Sequence, residues 1–428
     1  MLVDPRASLG GVCLNEGCIP SKAMLHAAQV IREAREMANW GISSDAPQID
    51  LDALRSRKDA IVGQLTDGLG GLATRRKVDV VQGCALFTGV DSLDIDGEAW
   101  TFDQAVIAVG SSPMQLPGWP EDDRIWDSSA ALELREIPSR LAIVGGGIIG
   151  LEMATVYSAL GSDVTVIELA GQIVPGADAE AAAILHSALI EQGVTINTMT
   201  QVVSVDAAKS ALTLKCDGAI SGQITVDAVI QSVGRRANGA NVNPATAEIE
   251  IDGRGVIAAD AAGRTNATDI FAIGDVKGNP MLAHRATHQG HIAAEVALGN
   301  RAALDTNLIP SVAYTNPELA WVGLMAAEAK EAGIAHKVSS FPWAASGWSL
   351  ASGGGDGLTK LVYCPNIHLI LGAVLVGSNA GELLAEFVLA MEMGATLGDV
   401  SLTVHAHPTL SKPIAFAAER ALGTLTNL

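Results

Sequence analysis

Residues 141–168 constrain the fold more tightly than any other part of the sequence, because they read as one complete βαβ unit. Residues 141–144 are an apolar run suited to a buried strand, GGGIIG (145–150) is a glycine turn, residues 151–160 form a helix and residues 164–168 a second strand. A crossover joining two parallel strands is right-handed, so this segment commits the chain to an α/β architecture.

Gly145, Gly147 and Gly150 fill the three positions of G-x-G-x-x-G. The first allows the tight turn, the second lets backbone approach a pyrophosphate, and the third lets helix and strand close up. Gly146, Ile148 and Ile149 complete the candidate binding turn. About 20 residues further on, Glu168 ends the next strand, where a carboxylate accepts from a ribose hydroxyl. That charge repels a 2′-phosphate and residues 169–172 (LAGQ) offer no arginine to hold one, so the expected cofactor is NAD rather than NADP. A glycine-rich packing turn is the plain alternative, and the strand, helix and acid together weigh against it.

At about 100–200 residues per domain, 428 residues suggest two to four domains. The opening reads as two amphipathic helices, residues 21–37 and 51–75, followed by strand-like runs at 78–82, 92–95 and 105–109. From about Leu308 strands (339–343, 359–363, 369–376) precede helical stretches (383–393, 414–422), the texture of a separate α+β domain. No repeat or long linker separates the parts, which should pack closely. A net charge of −20 argues against a nucleic-acid partner. The longest apolar runs are interrupted well short of the ~20 residues of a lipid span, and the N-terminus lacks a basic-then-apolar leader, so the chain is expected in the cytoplasm.

Five cysteines are too few for a disulfide scaffold in a chain this long. Cys84, Cys216 and Cys364 stand alone and are expected to be buried or inert. Cys13 and Cys18, in GGVCLNEGCIPSK (10–22), stand just before the first amphipathic helix, where the helix dipole favours thiolate and a disulfide can open and close reversibly. A zinc site needs further ligands at metal spacing, which are missing, so no metal is expected; two unlinked structural thiols remain the alternative.

Beyond these two motifs, AVGSSP (108–113), GRRANG (234–239), RTNATDIFAIGD (264–275), MLAHRATHQG (281–290), YTNPELAWVG (314–323), FPWAASG (341–347) and HAHPTL (405–410) fall in the order and spacing of one family. Over nearly its whole length the sequence resembles the flavoprotein disulfide reductases, class I pyridine nucleotide-disulfide oxidoreductases, and among them the dihydrolipoyl dehydrogenases. The resemblance implies two Rossmann-like nucleotide-binding domains and a C-terminal α+β dimerisation domain. Residues 1–114 and 242–307 would bind FAD, 115–241 NAD, and 308–428 would form the interface of a homodimer.

By the same resemblance Cys13 is the interchange thiol and Cys18 the thiolate against the flavin, with Lys22 at the flavin edge paired to Glu152. Asp275 accepts from the FAD ribityl chain, Ala283 gives a backbone contact, Ala85 approaches the adenine and Asp4 stands where an acid binds the FAD ribose. Val202, Val233 and Gly234 line the NAD site, and His407, given by the opposite subunit, takes a dithiol proton. The implied reaction is dihydrolipoamide + NAD⁺ to lipoamide + NADH. The implied partner is the lipoyl-bearing acyltransferase core of a 2-oxo acid dehydrogenase complex. Glu168 speaks against glutathione reductase, and the lack of a C-terminal cysteine pair against mercuric reductase.

Three positions depart from the family pattern. Only the tail of the family's first βαβ unit, which holds the FAD pyrophosphate, is present, so weakened FAD binding is expected. The glutamate that normally orients the catalytic histidine, five residues on, is Lys412, which cannot accept the imidazole N–H and whose charge disfavours imidazolium. Gln289 is neutral where an acid is expected. The first two departures support a rival reading: an incompetent remnant that keeps NAD binding and dimerisation; Gln289 adds little to it.

Overall fold

The computed structural model describes residues 1–43, 45–306 and 308–426; the expected domain boundary at Asn307 lies outside the described residues. A five-stranded parallel sheet runs in the order Thr195–Asn197, Asp163–Ile167, Arg140–Val144, Ala228–Gln231, Ile125–Trp126. Its central strand carries Leu141, Ala142 and Ile143, all fully buried, as an uninterrupted apolar run must be in a sheet covered on both faces. The chain leaves that strand through the glycine turn, descends the helix Ile148–Leu160 and returns on Asp163–Ile167. The helix starts three residues before the sequence reading had it, because Gly147 in extended backbone (φ −78°, ψ −178°) serves as its N-cap.

The helix Cys18–Glu36 likewise begins ahead of its expected start. Its Met24, Leu25 and Ile31 join the helix Ile148–Leu160, the parallel sheet and Leu319, Val374 and Val376 of the C-terminal part in one buried cluster. Three cations on the same face reach the facing helix: Lys22 to Glu152, Arg32 Nη2 to the Thr155 carbonyl at 2.9 Å, and Arg35 Nη2 to the Ala159 carbonyl at 3.1 Å. The helix Leu51–Arg75 has the expected bounds but buries only Lys58 among its side chains, whose Nζ donates to the Leu132 carbonyl at 2.9 Å, while Leu65 and Leu72 stay exposed. At its start Leu51 and Leu54 pack, partly buried, against the main apolar cluster, so the helix is held at that end by both apolar and polar groups.

Two parallel strand pairs flank the first part of the chain, Leu2–Asp4 with Val80–Gln82 and Ile270–Ala272 with Ala105–Ile107, and no strand joins the two pairs among the described residues. An antiparallel ribbon, Ser111–Pro113 against Arg235–Ala237, carries the chain into and out of the region holding the five-stranded parallel sheet. The C-terminal part is an antiparallel sheet ordered Ser311–Ala313, Glu318–Gly323, Ile370–Gly377, Leu358–Tyr363, Lys337–Pro342, covered by the helices Ala380–Glu392, Leu397–Leu402 and Lys412–Leu422. Among the described residues no helix is long and apolar enough to cross a membrane.

Candidate active site

Cys13 and Cys18 do not both precede one helix. Cys13 lies in a short helix of its own, Gly11–Glu16, which Gly17 (φ −137°, ψ −110°) separates from Cys18, the first residue of the next helix. The short helix is held by Asn15, whose Nδ2 donates to the Gly11 carbonyl at 2.9 Å and whose Oδ1 accepts from Ser8 Oγ at 2.7 Å. Gly10, at φ +115°, must be glycine, since a Cβ there would stand 2.4 Å from Leu14 Cδ2.

The two cysteines are free thiols whose contact shifts both acidities, in opposite directions. That contact, together with the Lys22 ammonium, outweighs burial and brings Cys18 down to about 7, while the same contact and burial push Cys13 up. Cys18, at the uncapped head of its helix where backbone N–H groups favour negative charge, is therefore the more acidic thiol of the pair. Of the other cysteines Cys216 is buried and Cys364 half-buried, but Cys84 is exposed, contrary to the sequence expectation, because it opens the edge strand's hairpin rather than a core strand.

Lys22 Nζ lies 3.0 and 3.1 Å from the two oxygens of Glu152, a side chain only 4% exposed. Glu152 Oε1 also accepts from the Tyr314 N–H at 3.2 Å, and Lys22 Nζ sits 4.3 Å from the centre of the Tyr314 ring. A buried carboxylate needs such partners, and it obtains them from the first helix and from the C-terminal sheet at once.

Asp275 lies in the turn after strand Ile270–Ala272, and its Oδ2 accepts from Ser111 Oγ at 2.6 Å, which in turn accepts from Arg235 Nε at 2.7 Å. Asp275 Oδ1 accepts nothing among the described residues, leaving it open to a ligand hydroxyl. Gln289, neutral where the family pattern has an acid, is 5% exposed, and its Oε1 accepts from the Gly274 N–H at 2.8 Å. It ties the Asp275 turn to the helix Ala283–Ala297, whose N-terminus at Ala283 no side chain caps. A neutral amide at the end of a buried helix face was the available signal. Asp4 ends its strand with Oδ1 accepting from the Arg6 N–H at 2.8 Å, and Ala85 opens the hairpin strand Ala85–Gly89. Lys22, the free oxygen of Asp275 and the uncapped amides at Ala283 are the polar groups a flavin with a ribityl chain requires, so these residues fit it.

The glycine turn separates the roles of its three glycines. Gly145 has φ +109° and its Cβ would lie 2.1 Å from the Ser232 carbonyl oxygen; a Cβ on Gly150 would lie 2.1 Å from the Gly145 carbonyl oxygen. Gly147 meets nothing within 4 Å. The turn is thus packed on two sides and open over Gly147, and Ile148 and Ile149 begin a helix without a side-chain cap, which fits a pyrophosphate. Glu168 accepts from the Gly146 and Ala170 N–H groups, each at 2.6 Å. Val233 and Gly234 follow strand Ala228–Gln231 and cross the same end of the sheet, where the strand order reverses, the usual place for a ligand in open α/β sheets. Val202 is buried against that sheet, so only its backbone can face a ligand.

His407 is exposed and makes no hydrogen bond among the described residues, and nothing there links it to Cys13 or Cys18. The carboxylate partner belongs to its neighbour: His405 Nε2 meets Glu386 Oε1 at 2.7 Å, and Nδ1 meets the Thr403 carbonyl at 2.8 Å. Lys412 does not turn toward His407; its Nζ lies 5.4 Å from the Phe416 ring centre, along its own helix.

A thiol pair split between a short helix and the head of the next, a glycine turn heading the helix that this one packs on, and an ion pair between the two define a dithiol–pyridine nucleotide oxidoreductase fold. The pyridine nucleotide-disulphide oxidoreductase family model matches residues 1–290 and the dimerisation domain of that family matches 309–418, so the chain belongs to this family. It is 47% identical to dihydrolipoyl dehydrogenase of Vibrio cholerae and 48% identical to that of Haemophilus influenzae, in each case over 100% of this chain and 91% of the relative. Among solved structures, the HOCl-induced flavoprotein disulfide reductase RclA of Escherichia coli superposes with a TM-score of 0.87 at 26% identity, covering 98% of this chain and 93% of that one. LpdA of Mycobacterium tuberculosis shares the fold, with a TM-score of 0.89 at 24% identity over 98% of this chain and 92% of that one.

Proposed function

We propose that the chain is a dihydrolipoyl dehydrogenase, converting dihydrolipoamide and NAD⁺ into lipoamide, NADH and a proton. The observation that carries the reading is geometric: Cys18 heads its helix just after the short helix that carries Cys13, and Lys22, one turn on, is paired to Glu152 of the helix that the nucleotide turn opens.

In the oxidised pair, one substrate thiolate attacks the Cys13 sulfur and Cys18 leaves as thiolate, stabilised where it stands by Lys22 and the helix head. The second substrate thiol gives its proton to His407 and attacks the mixed disulfide, closing lipoamide and releasing Cys13. FAD, the cofactor of this enzyme class, supplies the two-electron carrier between the Cys18 thiolate and NAD⁺ when bound. Glu168 and the open turn at Gly147 hold the NAD ribose and pyrophosphate; Asp275, Ala283, Ala85 and Asp4 serve FAD. His407 comes from a second copy, a reading supported by its exposure and by the dimerisation domain at 309–418. Residues 1–114 and 242–307 form the FAD part, 115–241 the NAD part and 308–428 the interface. The lipoyl-bearing acyltransferase core of a cytoplasmic 2-oxo acid dehydrogenase complex is the partner.

The test is NAD⁺ reduction by dihydrolipoamide after incubation with FAD, in the parent and in Cys13→Ser and Cys18→Ser. Turnover in the parent alone supports the reading. NADH binding without turnover would favour the rival remnant, against which full-length identity to named dihydrolipoyl dehydrogenases already weighs.

A further inference from the structure

The Lys22–Glu152 pair joins two helices, but its third member comes from elsewhere. Tyr314 follows strand Ser311–Ala313 of the C-terminal sheet, donates its N–H to Glu152 Oε1 at 3.2 Å and sets its ring 4.3 Å from Lys22 Nζ. Gly381, near the head of the helix Ala380–Glu392, comes close to the ring, for a Cβ added there would lie 3.6 Å from Tyr314 Cε1. Gly381 is itself fixed, its N–H donating to the half-buried Glu318 Oε2 at 2.8 Å. The half-open ring thus has the backbone at Gly381 beside it and the Lys22 ammonium over its face. Lys22 is more than a third exposed on its side chain, and four rotatable bonds leave it free to swing into solvent unless something stops it. Glu152 stops it from one side and the ring face from another.

We propose that Tyr314 is a positioning residue for the redox pair: its ring, supplied by the C-terminal sheet, holds the Lys22 ammonium one helical turn from Cys18. The proposal rests on the reading of Cys13 and Cys18 as the redox pair. The charged and titratable groups that act on Cys18 are Cys13 on the short helix, Lys22 on its own helix, Glu152 on the facing helix, Arg235 from the ribbon and Tyr314 itself. Of these only Lys22 combines a long side chain with substantial exposure, and so it is the one whose placement a neighbour can set. A ring face attracts an ammonium held over it, which keeps a flexible lysine mainly in one place.

The experiment uses the full chain, reduced and desalted, with iodoacetamide reaction at each cysteine followed by mass spectrometry from pH 5 to 9 and exposed Cys84 as internal reference. Tyr314→Leu should slow Cys18 alkylation at pH 6 by about threefold or more, and Tyr314→Phe, which keeps the ring, should change it less than about twofold. Placed on Lys22→Met, Tyr314→Leu should add nothing, because the ring then has no ammonium to hold. The proposal is overturned if Tyr314→Leu matches the parent, or if it slows Cys18 equally with and without Lys22. Should parent Cys18 react no faster than Cys84, the redox-pair reading fails before any variant is compared, and the proposal falls with it.

Discussion

Lys22 and Glu152 stand 130 positions apart in the chain and meet at 3.0 Å, each about one helical turn behind the group that its helix presents. Lys22 follows Cys18 by four residues and Glu152 follows the Gly147 N-cap by five, so the ion pair fixes the separation of thiol and nucleotide turn. Lys22 pulls the Cys18 thiol toward ionisation and Glu152 opposes it.

The first prediction concerns that balance. With Cys18 lowered to about 7, its alkylation should rise about tenfold from pH 6 to pH 8 and then level off, whereas an ordinary thiol with a pKa of ~8.5 keeps rising steeply. Glu152→Gln removes the opposing charge and should move the midpoint downward. A midpoint that stays put or climbs in Glu152→Gln would show that the carboxylate acts chiefly by holding Lys22 in place.

The glycine turn gives a second. Gly145→Ala and Gly150→Ala each drive a methyl to about 2.1 Å from a carbonyl oxygen and should cost more than ~3 kcal/mol, seen as a loss of soluble, folded chain. Gly147→Ala meets no protein atom within 4 Å and should melt like the parent while binding NADH at least about tenfold more weakly. Unchanged NADH affinity in Gly147→Ala would remove the pyrophosphate from this turn.

A third prediction separates the two pyridine nucleotides. Glu168 stands at the turn with its carboxylate already drawing two N–H groups at 2.6 Å, a geometry that leaves no room for a phosphate's charge. Reverse-direction rates with NADH and NADPH should differ in kcat/KM by at least about tenfold in favour of NADH. Equal rates, or a preference for NADPH, would show that Glu168 serves only to brace the turn.

The fourth concerns Lys412, the first residue of helix Lys412–Leu422, where a cation faces the positive end of the helix dipole. Lys412→Glu should stabilise the helix by roughly 0.3–1 kcal/mol and, by offering His407 an acceptor, raise dihydrolipoamide turnover several-fold. A higher melting temperature with an unaltered rate would assign the orientation of His407 to some other group.

Much of the candidate site could be read in the sequence because its chemistry is local. The nucleotide turn, with its strand before and acid after, lies within residues 141–168, and Cys13 and Cys18 share one short segment. Elements with strong periodicity, such as the helix Leu51–Arg75 and the strand Ser92–Ile95, were placed to the residue. What eluded the sequence was long-range or end-dependent. Gly17 splits the cysteine segment into two helices through a backbone angle that composition does not reveal, and Gln289 gains its role only by meeting Gly274 across a turn. The side chain of Lys412 lies along Phe416 rather than toward His407 because the ring one turn on offers it a face, a choice that spacing alone does not settle.

The ribbon of Ser111–Pro113 and Arg235–Ala237 places Pro113 directly opposite Arg235, so the segment carrying the five-stranded parallel sheet begins and ends at neighbouring points. A segment whose two ends are adjacent can be gained or lost by its host without rerouting the host's backbone, since closing the gap demands only a tight turn. The ribbon is thus a point at which the segment carrying the parallel sheet could be excised or exchanged with its host left in register.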